Sequence, residues 1–145
     1  MNAATPPPAS RQERGTVAVM ATVIDFALLI FVFGFMSLLT DRDLIEEPDV
    51  GTLVGPAMTV TACLLVFSLV YRRRPAGIGA RALYATLGTM IGAPFVGSVV
   101  FAAGRAEVAI VPVFFGRYVL SPFVLSAAII GAAVVFAAAL LERRP

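Results

Sequence analysis

Four long apolar runs alternate with short polar stretches along this chain, and the runs are similar in length. A bilayer core about 30 Å thick takes about 20 apolar residues of helix. The runs from about Val17 to Leu39, Thr52 to Tyr71, Ala82 to Ala103 and Tyr118 to Leu141 each meet that requirement. The pattern predicts an all-α protein: an integral membrane four-helix bundle, folded as one domain over residues 16–145. The leader "MNAATPPPASRQERG", residues 1–15, has prolines, small residues and charge without periodicity, and reads as a disordered cytoplasmic tail. The first run far exceeds a signal-peptide core, and no small-x-small cleavage site precedes "TDRDLIEEPD".

Helix contacts are also written into the runs. Small residues let membrane helices approach closely. The third span carries Gly88 and Gly92 at GxxxG spacing, then Ala93 and Gly97, and the fourth carries Ala127 and Gly131. The third span is therefore expected to be central. Pro94 should kink it by removing one backbone hydrogen bond. Pro122 falls in the first turn of the fourth span, where proline is tolerated. Residues 108–115, within "GRAEVAIVPVFFGR", are more apolar than an exposed loop. They are expected in the outer interface, with a re-entrant segment as the alternative.

Composition agrees with a membrane location. The chain has 145 residues, 59% hydrophobic and only 14% charged, against about 45–50% and about 25% in soluble domains. Orientation follows from the arginines, the only basic residues present. Arg11, Arg14, Arg72, Arg73, Arg74, Arg81, Arg143 and Arg144 fall on one side; Arg42, Arg105 and Arg117 fall on the other. The basic bias of short loops places both termini in the cytoplasm of a bacterial inner (plasma) membrane. Arg72, Arg73, Arg74 and Arg81 in "YRRRPAGIGAR" lie beside lipid headgroups, where each gains about 1 kcal/mol against anionic lipid. Such arginines mark a membrane, not nucleic-acid binding.

Little of the chain invites chemistry. With no histidine and one cysteine, Cys/His metal sites and an intramolecular disulfide are both ruled out. Cys63, within "TVTACLLVF", reads as a small packing residue. The acids of "TDRDLIEEPDVG" lack the EF-hand spacing and read as a solvated face. Gly77 and Gly79 make no phosphate loop, since no lysine follows. No GxSxG, GxGD or HExxH pattern occurs, so neither an enzyme nor a cofactor is expected.

The exception is Asp25, inside "TVIDFALLIFVFGF". An acid in a span is costly by about 2.5–3.5 kcal/mol on insertion scales, so it faces the bundle. No arginine lies within any span to pair with it. Counting from the cytoplasmic helix ends places Thr61 and Thr89 nearest in depth, with Thr86 and Tyr84 closer to the surface. A neutral Asp25 donating to one of these hydroxyls, or to a carbonyl near Pro94, would be a structural polar group. A proton- or cation-coupled transport site and a contact to a partner's helix are the other two roles open to it.

Three resemblances can be set beside this reading. Four spans with one acid in the first resembles the small multidrug-resistance transporters, which carry glutamate there and usually a tryptophan that this chain lacks. "ATVIDFALLI" resembles the first helix of the RDD membrane family; Asp25 matches, whereas Ala18 stands where that family has arginine. "LLTDRDLIEEPDVGTLVGPAM" followed by "RYVLSPFVLSAA" resembles a family of small four-span actinobacterial membrane proteins of unknown function. That resemblance implies the architecture and no activity. The function expected is an accessory, assembly or interaction component of a membrane complex, with lipid and a membrane-protein partner as its contacts. The alternative is a small proton- or cation-coupled transporter built as a homo-oligomer around Asp25.

Overall fold

The computed structural model describes residues 11–41, 51–72 and 77–141. Five α-helices follow one another: α1 (Arg11–Thr40), α2 (Gly51–Tyr71), α3 (Ile78–Arg105), α4 (Val111–Tyr118) and α5 (Pro122–Leu141). A 3-10 turn over Val108–Ile110 precedes α4. No strand occurs among the described residues. Four of the helices, α1, α2, α3 and α5, are long and apolar enough to cross a membrane. The chain is thus a multi-pass membrane protein.

The helices differ in extent from the apolar runs. Helix α1 begins at Arg11, so residues 11–15, expected as tail, are helical; its 30 residues reach about 45 Å at 1.5 Å per residue. Residues 1–10 lie outside the described residues, as do most of the acidic loop, Arg73, Arg74, Arg143 and Arg144. The fourth span starts at Pro122 rather than at Tyr118, and Ser121 explains why. Its Oγ accepts the Val124 N–H at 3.3 Å, and its carbonyl accepts the Leu125 N–H at 3.0 Å. Serine at the cap and proline at the first helical position are the preferred pair for starting a helix. Residues before Ser121 close α4 instead, with the Val119 N–H on the Phe115 carbonyl at 2.9 Å.

Three clusters of buried side chains fix the helix directions. At one level the early α1 residues Ala18 and Ala21 meet Val66 and Val70 from the end of α2. They also meet Ala85 from the start of α3, and Val134, Val135 and Ala138 from the end of α5. In the middle, Leu29 meets Ala62, Cys63 and Ala127. At the far level Val54 and Met58 from early α2 meet Ala93, Phe101, Phe114, Tyr118 and Val124. The spans therefore run up, down, up and down.

Helix α3 is the most extensively packed, against α5 and α2, whereas α1 packs on α2 and α5. Only one stripe of α1 is buried: Ala18, Ala21, Asp25 and Leu29. Residues such as Val23, Phe26, Ile30 and Phe31 point outward. In water such a face would aggregate; in a bilayer it meets lipid.

The connection after α3 folds back onto the bundle. Ala106 adopts a left-handed conformation (φ 52°), and the Glu107 N–H reaches back to the Ala102 carbonyl at 3.0 Å, closing a Schellman-type stop. One turn of helix apart, Phe114 and Tyr118 then bury one face of α4. Phe114 stacks on Phe101 with ring centroids 4.5 Å apart and on Tyr118 at 4.3 Å. Val113 and Arg117 face outward. Eight residues are too short to cross a bilayer, and α4 packs against the C-terminal half of α3.

Candidate functional site

Asp25 lies halfway along α1, in the middle of its single buried stripe, and is 0% exposed. Small residues precede it in the stripe and Leu29 follows, so the helix approaches its neighbours closely at this level. Thr89 on α3 is likewise 0% exposed. The two meet over Gly131 of α5. A Cβ at Gly131 would lie 3.9 Å from Asp25 Oδ1, 3.8 Å from Thr89 Oγ1 and 3.3 Å from Val66 Cγ2. The fourth side is α2, whose Cys63 thiol stands close enough to interact electrostatically with the carboxyl group. Each of the four spans thus places one residue in a single layer: Asp25, Cys63, Thr89 and Gly131.

This layer holds polar atoms without ordinary partners. Neither carboxyl oxygen of Asp25 nor the Thr89 hydroxyl has a nitrogen or oxygen partner among the described residues; the Cys63 thiol is the weak donor that faces the carboxyl group. Several other hydroxyls in the spans are satisfied by their own helices, one turn back. Thr59 donates to the Gly55 carbonyl at 3.0 Å and Ser98 to the Pro94 carbonyl at 2.6 Å. Thr22 and Thr86 do the same toward Ala18 and Ala82. Thr89 departs from that habit.

Thr61 is placed differently from Thr89. Its hydroxyl donates to the Ala57 carbonyl at 2.8 Å, and its methyl group faces Gly92 of α3. It therefore belongs to the α2–α3 seam. Cys63, two residues on, faces Asp25 because two residues turn an α-helix by more than half a circle. Depth counting finds the level of a residue but not its azimuth, so Cys63 and Thr61 could not be told apart by it.

The packing glycines fall into two kinds. A Cβ at Gly88 or Gly92 would meet Leu65 at 3.5 Å, an ordinary contact. At Gly97 it would come within 2.7 Å of Met58, and at Gly131 within 3.3 Å of Val66. Gly97 and Gly131 are therefore the close approaches, of α3 to α2 and of α5 to α2. Among the basic residues, Arg72 is exposed just after α2, and Arg81 is half-buried in the first turn of α3. Among the described residues no group of three or more Cys, Asp or Glu side chains gathers to hold a metal ion.

Outside this layer, an apolar groove of about 440 Å³ runs between α1 and α2. Val19, Thr22, Val23 and Phe26 line one wall and Val60, Cys63, Leu64 and Phe67 the other. Cys63 thus separates the groove from Asp25.

Residues 9–144 match a family of unknown function, DUF6121, in keeping with the likeness of the loop and fourth-span sequences to a small membrane family without assigned activity. No curated protein matches the chain, and no solved structure does.

Proposed function

The chain belongs to the DUF6121 family, and we propose that it is an accessory or assembly component of a larger complex in the bacterial inner membrane. In this reading it acts by contact and carries no catalysis. Both termini face the cytoplasm, because the short connections and ends on that side carry most of the arginines.

One observation carries the reading: the intramembrane acid is enclosed by its own chain. Asp25 is 0% exposed. Its layer lies between the apolar cluster of Ala18, Ala21, Val66 and Ala85 and that of Leu29, Ala62 and Ala127. A carboxyl group that loads and releases a cargo needs a polar route to a surface, and apolar layers supply none. The outer wall is what the molecule offers to others, above all α1, the least covered of the spans.

Affinity purification of the full chain in mild detergent tests this. A membrane protein recovered in constant ratio is expected. Recovery as a monomer alone, under several extraction conditions, would sink the proposal.

A second reading has its own support in the unpartnered oxygens of Asp25 and Thr89. A proton- or cation-coupled transporter, assembled as a homo-oligomer, would use such groups as its coupling site. It requires gradient-driven flux in proteoliposomes that Asp25→Asn removes.

A further inference from the structure

Of the three buried serine and threonine hydroxyls among the described residues, Thr59 and Ser98 donate to carbonyls of their own helices, and Thr89 does not. A buried polar group left unmade costs about 1–3 kcal/mol, and folded proteins satisfy nearly all of them. Here Asp25 Oδ1 and Thr89 Oγ1 converge in one layer without a bond between them. They converge, moreover, on the one residue of that layer with no side chain. From the Cβ direction of Gly131, the Thr89 and Asp25 oxygens stand at nearly the same distance, 3.8 and 3.9 Å.

We propose that Asp25, Thr89 and Gly131 form a buried site for one water molecule, held between the carboxyl group and the hydroxyl in the recess that glycine leaves. A buried water needs a polar recess and two to four partners. Water both donates and accepts, so it can satisfy Asp25 and Thr89 together although they come from different helices. A hard cation fits less well, because two side chains supply too few oxygens for its shell. The site fastens α1, whose remaining buried stripe is apolar, to α3 and α5. It stands apart from any partner the outer wall engages.

The glycine gives the site a sharp test. In Gly131→Ala the added methyl group narrows the recess. In Gly131→Ser the hydroxyl, one bond beyond the same Cβ, comes within hydrogen-bonding reach of both oxygens and replaces the water. Both variants meet Val66 equally, and serine is the poorer helix former, so a higher melting temperature for serine has to come from the polar site.

Polarisation transfer from water, read by solid-state NMR on the full chain in lipid bilayers, should reach the Asp25 carboxyl carbon and not the side chains of Ala21 or Leu29. The transfer should be lost in Gly131→Ala. Gly131→Ser should melt at a higher temperature than Gly131→Ala, and Thr89→Val should shrink that advantage. No transfer to Asp25 in the wild-type chain overturns the proposal. So does undiminished transfer in Gly131→Ala, or a serine variant melting no higher than the alanine variant.

Discussion

Gly97 of α3 lies so close to Met58 of α2 that a methyl group on its Cα would come within 2.7 Å of both the Cγ and the Sδ of that side chain. Met58 is itself buried and packed among Val54, Ala93 and Val124, so it has little room to yield. Gly97→Ala should therefore destabilise the bundle by about 1–3 kcal/mol, the usual cost of overpacking. Gly92→Ala meets only ordinary contacts and should be neutral or stabilising, since alanine favours a helix by about 1 kcal/mol over glycine. Thermal unfolding of the two variants in the same detergent provides the comparison. Equal melting points would mean that α3 does not approach α2 as described.

Ala106 offers a substitution of the opposite sign. It ends α3 at φ 52°, where a side chain is disfavoured by about 1–2 kcal/mol and glycine is not. Glycine loses more freedom on folding, which offsets part of that gain. Ala106→Gly should raise stability by about 0.5–1 kcal/mol. A lower melting temperature would argue against a left-handed stop at this position.

The spans were legible because their signal is collective: some twenty apolar residues outvote any single exception. Helix ends were less so, being set by individual groups. Pro122 was visible as a first-turn residue, yet the cap at Ser121, and hence the separation of α4 from α5, depends on which hydroxyl bonds which N–H. The short helix α4 hid inside an apolar loop, because two aromatic residues one turn apart resemble interfacial anchoring as much as packing. At the site, the cost of an acid in lipid singled out Asp25, and depth counting suggested Thr89. Cys63 and Gly131 reach the same layer through helix rotation, which residue counting along separate helices does not supply.

Orientation can be tested apart from any function. In a Cys63→Ala background, a cysteine at Glu46 should react with an impermeant thiol reagent on intact cells. A cysteine at Gly77, which begins the segment leading into α3, should react only after the membrane is permeabilised. The arginine distribution requires this order, and the reverse labelling would place the termini outside.

Asp25 itself separates the structural role from the others. As a neutral group whose partner is the buried water, it should tolerate Asp25→Asn almost silently, because the amide keeps a donor and an acceptor in similar volume. Asp25→Leu removes the costly acid from the bilayer but leaves the Thr89 hydroxyl to find another partner, at a cost of about 1–3 kcal/mol if it fails. These opposing terms predict a mild change for leucine, of either sign, and almost none for asparagine. A coupling site or a charged partner contact predicts a different pair of results: function lost in Asp25→Asn while the melting profile stays in place. Melting temperature and growth phenotype, measured together on the two variants, distinguish the cases. Loss of phenotype without loss of stability would show that the carboxyl group is needed for its charge rather than for its fit.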